Sequence, residues 1–287
     1  LRLNVNIVHL TWPPRYGEFF TYLLRKRTVI TMHDPLPHSS EDAWLNRFHR
    51  NVCFRLLDTF ILLNDIQKKP FIEAYHMQHK RVVLSRLSAY TNLRNVQPQY
   101  PDMNNYVLFF GGISSHKGVE YLCEAMDEVC KKHPDVKLVV AGKGNLYFDI
   151  TKYDIFNDGH LVLLNHYLDD SVLVGLIRHS LFVVCPYIDA TQSGVVMSSF
   201  ALNKPVVATN VGALPTMVKD GQYGTIVPPK DVSALATAIE ALIESPQRVD
   251  AMMTNIERDY SDGDCSWSAI AQGIIDVYVD KLSAADK

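Results

Sequence analysis

"LFVVCPYIDATQSGVVMSSF", Leu181 to Phe200, is the stretch on which the reading of the fold turns. Leu181–Pro186 is a continuous apolar run, the mark of a strand buried on both faces. Thr191, Gln192, Ser193 and Gly194 follow as small polar residues, and an apolar helical segment then resumes. Strand, tight turn and helix within twenty residues make the repeating unit of a doubly wound α/β domain. The turn itself has two readings. Any strand-to-helix connection needs small residues, and backbone N–H groups at a helix start also hold anionic groups. The stretch alone does not choose between them.

The same unit recurs along the chain. Strands are predicted at Val5–Leu10, Thr28–Met32, Thr59–Leu63, Arg81–Ser85, Tyr106–Phe110, Lys137–Gly142, Leu161–Leu164, Leu181–Cys185 and Pro205–Thr209. Amphipathic helices are predicted at Ala43–Leu57, Val119–Lys132, Ser171–Arg178 and Ser233–Ile243. "TNLRNVQPQYPDMNN", Thr91–Asn105, is rich in Asn, Gln and Pro and reads as an interdomain linker. The expected division is residues 1–98, residues 99–265 as a complete Rossmann-like domain, and a C-terminal helix over 266–287. That helix presents Trp267, Ile270, Ile274, Ile275 and Tyr278 on one side. The first half, with about four strands, is short for a full domain of this kind. The chain opens on Leu1 with no charged leader and apolar core, which predicts a start in mid-protein.

Composition narrows the function classes. The 287 residues carry Lys+Arg 28 against Asp+Glu 31, a net charge of −3, so no broad basic surface for nucleic acid is implied. Five scattered cysteines without Cys-x-x-Cys spacing read as a reduced, cytoplasmic protein with no structural zinc. The longest apolar candidate, "VLVGLIRHSLFVVCPYI", is interrupted by Arg178 and His179 and is not a membrane span.

In doubly wound sheets ligands bind at the carboxyl ends of strands. "GGISSHKG", Gly111–Gly118, follows Tyr106–Phe110 and sets Lys117 at a helix start. A cation there is unfavourable unless an anion is near; the alternative is a solvated surface lysine. "GKGN", from Gly142, and "NHYLDD", with Tyr167 and a capping Asp169 or Asp170, follow the next two strands. In the first half, "TMHDPLPH" groups His33, Asp34 and His38 after a strand. Two histidines and one aspartate are too few for a metal site. His33, the first residue past the strand, is the functional candidate, and His38 reads as structural.

These pieces, in this order, resemble the group 1 nucleotide-sugar glycosyltransferases, retaining enzymes of the GT-B fold. The likeness is densest from "FFGGISSHKGVEYLCEAM" through "CPYIDATQSG" and "KPVVATNVGALP" to "DGQYGTIVPPKD". It implies two Rossmann-like domains, the first incomplete here, with a cleft between them and the final helix crossing back to the first. It also implies a UDP- or GDP-sugar donor, a saccharide or lipid-linked acceptor, and no cofactor or metal. Cytoplasmic placement follows, and the inner membrane face is compatible with it. By the same resemblance, His33 meets the sugar near the reacting carbon. Lys117 and the amides near Ser193, Gly194 and Val195 meet the diphosphate. Gly111, Gly112, Gly142, Tyr167, Asp189, Thr191, Gln192 and Ser198 complete the donor site, with backbone near Tyr167 at the base.

The departures from the family pattern are specific. Many relatives carry Arg where this chain has Gly112, and the family's two glutamates fall at Ala190 and Ser198. Asp189 is adjacent to the first, and Ser198 retains a hydrogen-bonding hydroxyl. The same departures also fit a catalytically silent sugar-nucleotide-binding protein of this fold. A phosphorylase-like enzyme would need a pyridoxal-phosphate lysine environment, which no segment suggests.

Overall fold

The computed structural model describes residues 5–12, 18–33 and 44–285. The chain divides into two compact units, Leu1–Leu87 with Trp267–Lys287, and Ser88–Ser266.

In the first unit, β1 (Val8–Leu10), β2 (Thr28–Met32), β3 (Thr59–Leu62) and β4 (Arg81–Leu84) form a parallel sheet in that spatial order. The period-2 geometry of β2 and β3 sorts their side chains between two faces. Ile30, Met32, Phe60 and Leu62 pack with Cys53, Phe54 and Leu57 at α2 (Trp44–Leu56) and with Phe71 of α3 (Lys68–Tyr75). The opposite parity, Val29 and Ile61, packs with Val277, Ile274 and Tyr278 of the last helix, Trp267–Ala285. Lys80 donates to the carbonyls of Phe54 and Arg55, closing the end of α2 where the free carbonyls carry partial negative charge.

The last helix keeps most of the face expected of it: Ile270 is buried and Ile274 and Tyr278 pack on the sheet beside Val277, while Trp267 and Ile275 are about half exposed. Lys281 decides the phase: it is 4% exposed and ion-paired with Asp58, while Arg81 pairs with Asp280 at 2.6 Å. The His9 ring bridges Tyr278 of the helix and Thr31 of β2.

The second unit has six parallel strands: β5 (Tyr106–Phe110), β6 (Lys137–Ala141), β7 (Leu161–Leu164), β8 (Val183–Cys185), β9 (Val206–Thr209) and β10 (Gly224–Val227). Their spatial order is β10-β9-β8-β5-β6-β7, the doubly wound order that reverses between β5 and β8. β10 is absent from the sequence expectation; four residues opening on Gly224 and closing on two prolines give almost no strand signal. The division between units falls at Leu87/Ser88, ahead of the stretch read as a linker. There Ala89 and Leu93 are buried, and Arg94 donates to Ala201 O at 2.7 Å and pairs with Glu257 at 3.2 Å. A few buried contacts hold this polar stretch to the second unit despite its composition.

Removing the Lys281 partner tests the role of the last helix. Asp58→Ala leaves a buried ammonium unpaired and is expected to cost about 1–3 kcal/mol. Amide exchange should accelerate across Trp267–Ala285 and not in β5–β10; unchanged exchange in that helix would show that the Lys281–Asp58 pair does not hold it.

Candidate functional site

At the strand-order reversal, the connections after β5 and β8 run side by side. The His116 carbonyl accepts the amides of Ile188 at 2.8 Å and Asp189 at 3.4 Å. Gly118, at φ +65°, lets the two backbones meet: a Cβ there would lie 2.1 Å from Pro186 O. A second close approach braces the later turn from behind. A Cβ on Gly212 would lie 1.6 Å from Ala190 O, and Ala213 N donates to Thr191 O at 3.2 Å. This is why "TNVGALP" accompanies "DATQSG" in the sequence: one turn backs the other.

Lys117 ends the short turn Ser115–Lys117, two residues before α4 (Val119–Lys132). It is not a solvated surface lysine. It is half-buried, and its Nζ sits 3.7 Å from the centroid of the Tyr187 ring. Burial lowers its pKa from the ordinary lysine value. Among the described residues its ammonium has no ion-pair or hydrogen-bond partner.

The helix that follows β8, α7 (Gly194–Ala201), starts open. Ser193 is its N-cap, with Oγ accepting from Val196 N at 3.4 Å. The amides of Gly194 and Val195 have no acceptor among the described residues, and Nε2 of Gln192 is a buried donor without a partner. Side-chain caps vary across this unit: the helix Asp170–His179 has none, against the expectation for Asp169 or Asp170. Tyr147 OH accepts from Val119 N at 3.1 Å and donates to Glu120 at the start of α4. Asp231 caps α9 (Val232–Ile243) through Ala234 N. One half-buried cation, the free amides of Gly194 and Val195 and the Gln192 carboxamide share the reversal point, an arrangement suited to a multiply charged anion.

The structure brings together most of the predicted second-unit residues. A Cβ on Gly111 would lie 3.2 Å from Val195 Cγ2, and Gly142 packs against the Gly111 backbone. Asp189 is exposed; Thr191, Gln192 and Ser198 are half-buried. Tyr167 stands apart. It follows the outer strand β7, is 78% exposed, and has no side-chain partner among the described residues. His33 is exposed at the carboxyl end of β2 in the other unit, while Asp34 and His38 lie outside the described residues. Sequence reasoning passed over Tyr187 and Tyr90. Tyr90 OH would lie 3.4 Å from a Cβ on Gly194. The only signal for Tyr187 was an aromatic two residues past a buried strand.

Residues 104–245 match the family model described as glycosyl transferases group 1. That match lies within the second unit and covers just under half of the chain. An uncharacterised glycosyltransferase of Methanocaldococcus jannaschii is 27% identical over 179 residues, covering 62% of this chain and 45% of the relative. A phosphatidyl-myo-inositol mannosyltransferase of Mycobacterium leprae is 29% identical over 196 residues, covering 66% and 50%. The chain thus spans about half the length of these relatives. The structure of Anabaena HepE in complex with UDP superposes with a TM-score of 0.71 at 19% identity, over 92% of this chain and 75% of that one. The fold is GT-B.

At Gly112, where the family resemblance places an arginine, there is room for a side chain. Gly112 is exposed, and a Cβ there would meet only Lys143 O, at 3.9 Å. Ser198 lies one turn beyond Gly194 on α7 and has no side-chain partner among the described residues. Gly194 is likewise held by no packing constraint, since its nearest contact to an added Cβ is that 3.4 Å to Tyr90.

Gly194→Val therefore separates binding from folding. Stability should change by less than about 1 kcal/mol, whereas pyrophosphate affinity should fall at least about tenfold as the side chain shields the open amides. A folded variant that binds pyrophosphate normally would reduce the turn to a mere connection.

Proposed function

We propose that this chain is the donor-binding part, with His33, of a retaining glycosyltransferase that uses a UDP- or GDP-linked sugar. The observation that carries the reading is the uncompensated Lys117 beside the open start of α7. The UDP complex of HepE supports a nucleotide donor, and the mannosyltransferase of M. leprae supports a saccharide or lipid-linked acceptor. In this reading the bond between the anomeric carbon and the diphosphate oxygen breaks as the acceptor hydroxyl oxygen forms the new one on the same face, its proton passing to the departing phosphate oxygen. Negative charge grows on the diphosphate. The Lys117 ammonium and the amides of Gly194 and Val195 stabilise it there, with the Gln192 carboxamide supplying a further donor. His33 hydrogen-bonds the sugar and orients it.

Calorimetry with UDP, GDP, ADP and CMP, followed by donor hydrolysis, tests the proposal. Lys117→Ala should weaken binding of the preferred diphosphate by about 1.5–3 kcal/mol, and Gly112→Arg should strengthen it by adding a charge-assisted contact. Unchanged affinity in Lys117→Ala would refute the donor site.

His33→Ala should lower turnover at least about tenfold while free-nucleotide affinity stays within about twofold. Loss of nucleotide binding in that variant would contradict a role at the sugar. Binding without turnover by the unaltered protein, for every donor and acceptor tried, would leave a silent binding protein.

A further inference from the structure

A lysine that must meet phosphate faces a physical difficulty. Its side chain has four rotatable bonds, so something has to hold it in place. A carboxylate would do so, and would also cancel the charge and compete with the phosphate. Lys117 has no carboxylate within ion-pair distance among the described residues; beneath it is an aromatic ring, 3.7 Å from Nζ to centroid. The negative face of a ring attracts a cation without neutralising it.

The groups around this pair keep the charge uncompensated. Tyr187 is fully buried, and burial holds its hydroxyl well above the usual phenol value, so the ring is neutral at physiological pH. Burial also pushes the Cys185 thiol up to about 12, so no thiolate lies below. Burial and the Ser193 hydroxyl, which donates to Tyr187 OH at 3.5 Å, hold the ring, and Thr209 Oγ1 anchors the backbone carbonyl of Tyr187 at 2.6 Å. Tyr187 thus links the cation after β5 to the N-cap of α7, the two elements that face the same anion.

We propose that the Tyr187 ring is a platform that holds the Lys117 ammonium aimed at the donor diphosphate, which makes Tyr187 a positioning residue. This rests on the donor site described above. Lys117 keeps its seat on the ring when the ligand binds and offers its free N–H groups to phosphate oxygens.

The test varies the ring's electrostatics at nearly constant shape, in the full chain, with the nucleoside diphosphate that binds. Tyr187→Phe should retain affinity within about twofold, since the ring face survives. Tyr187→3,4,5-trifluorophenylalanine, which drains the face of negative charge, should lower affinity about 3- to 10-fold with melting temperature unchanged. In a Lys117→Met background the two rings should bind the ligand equally. Equal affinity for the two rings with Lys117 present overturns the platform, as does the same loss in Lys117→Met. A gain in affinity overturns it too, because the ammonium would then have to leave the ring to bind. If Lys117→Met alone leaves affinity unchanged, the donor-site reading itself fails. If Lys117→Met loses affinity and the ring series is flat, only the platform fails.

Discussion

The contact between two backbones, Gly118 against the carbonyl of Pro186, is the constraint from which the site follows. The sheet order brings β5 and β8 together as neighbours, and their connections must leave the same edge. With any side chain at position 118 they could not approach, and the His116 carbonyl could not take the amides of Ile188 and Asp189. That approach brings Lys117 over Tyr187, and Gly212 behind Ala190 then sets how the turn enters α7. Cation, ring and helix start hold one another because three backbone approaches leave no other arrangement.

The electrostatics follow from where counter-charges are missing. Elsewhere in the second unit several charged side chains find partners, among them Arg94 with Glu257, Lys132 with Glu240 and Arg258 with Asp259. The start of α4 is closed by Tyr147. At the reversal point the cation rests on a neutral ring and the first amides of α7 stay free. A concentration of unmatched donors costs folding energy unless water or a ligand satisfies it. A half-buried cation without a counter-ion, next to free helix-start amides and an unpartnered carboxamide donor, marks a binding site more clearly than any glycine does.

Parts of this site were legible in the chain. The Gly-rich turn with Lys117, the "DATQSG" turn and their order pointed to a ligand at the strand ends, because glycine and small polar residues report local backbone demands. The partners of those residues were not legible. Tyr187 under Lys117, Tyr147 on the start of α4 and Tyr90 beside Gly194 are meetings between residues 28 to 104 positions apart, and aromatic residues carry no mark of which neighbour they will face. The solvated-lysine alternative for Lys117 failed for that reason.

Alternation of short β-branched runs with amphipathic helices determined the α/β class and most strand positions, since period and burial on two faces are written residue by residue. Val119–Lys132 and Tyr106–Phe110 match their expected bounds for that reason. Tertiary structure alone decided the rest. β10 is a strand because β9 offers it an edge, not because "GTIV" demands one. Ser88–Asn95 joins the second unit through Arg94 and Leu93 against its polar composition. The final helix turns on a buried Lys281 that a hydrophobicity pattern counts as solvent-facing. In each case the deciding energy comes from a partner distant in sequence, and no local pattern encodes the identity of that partner.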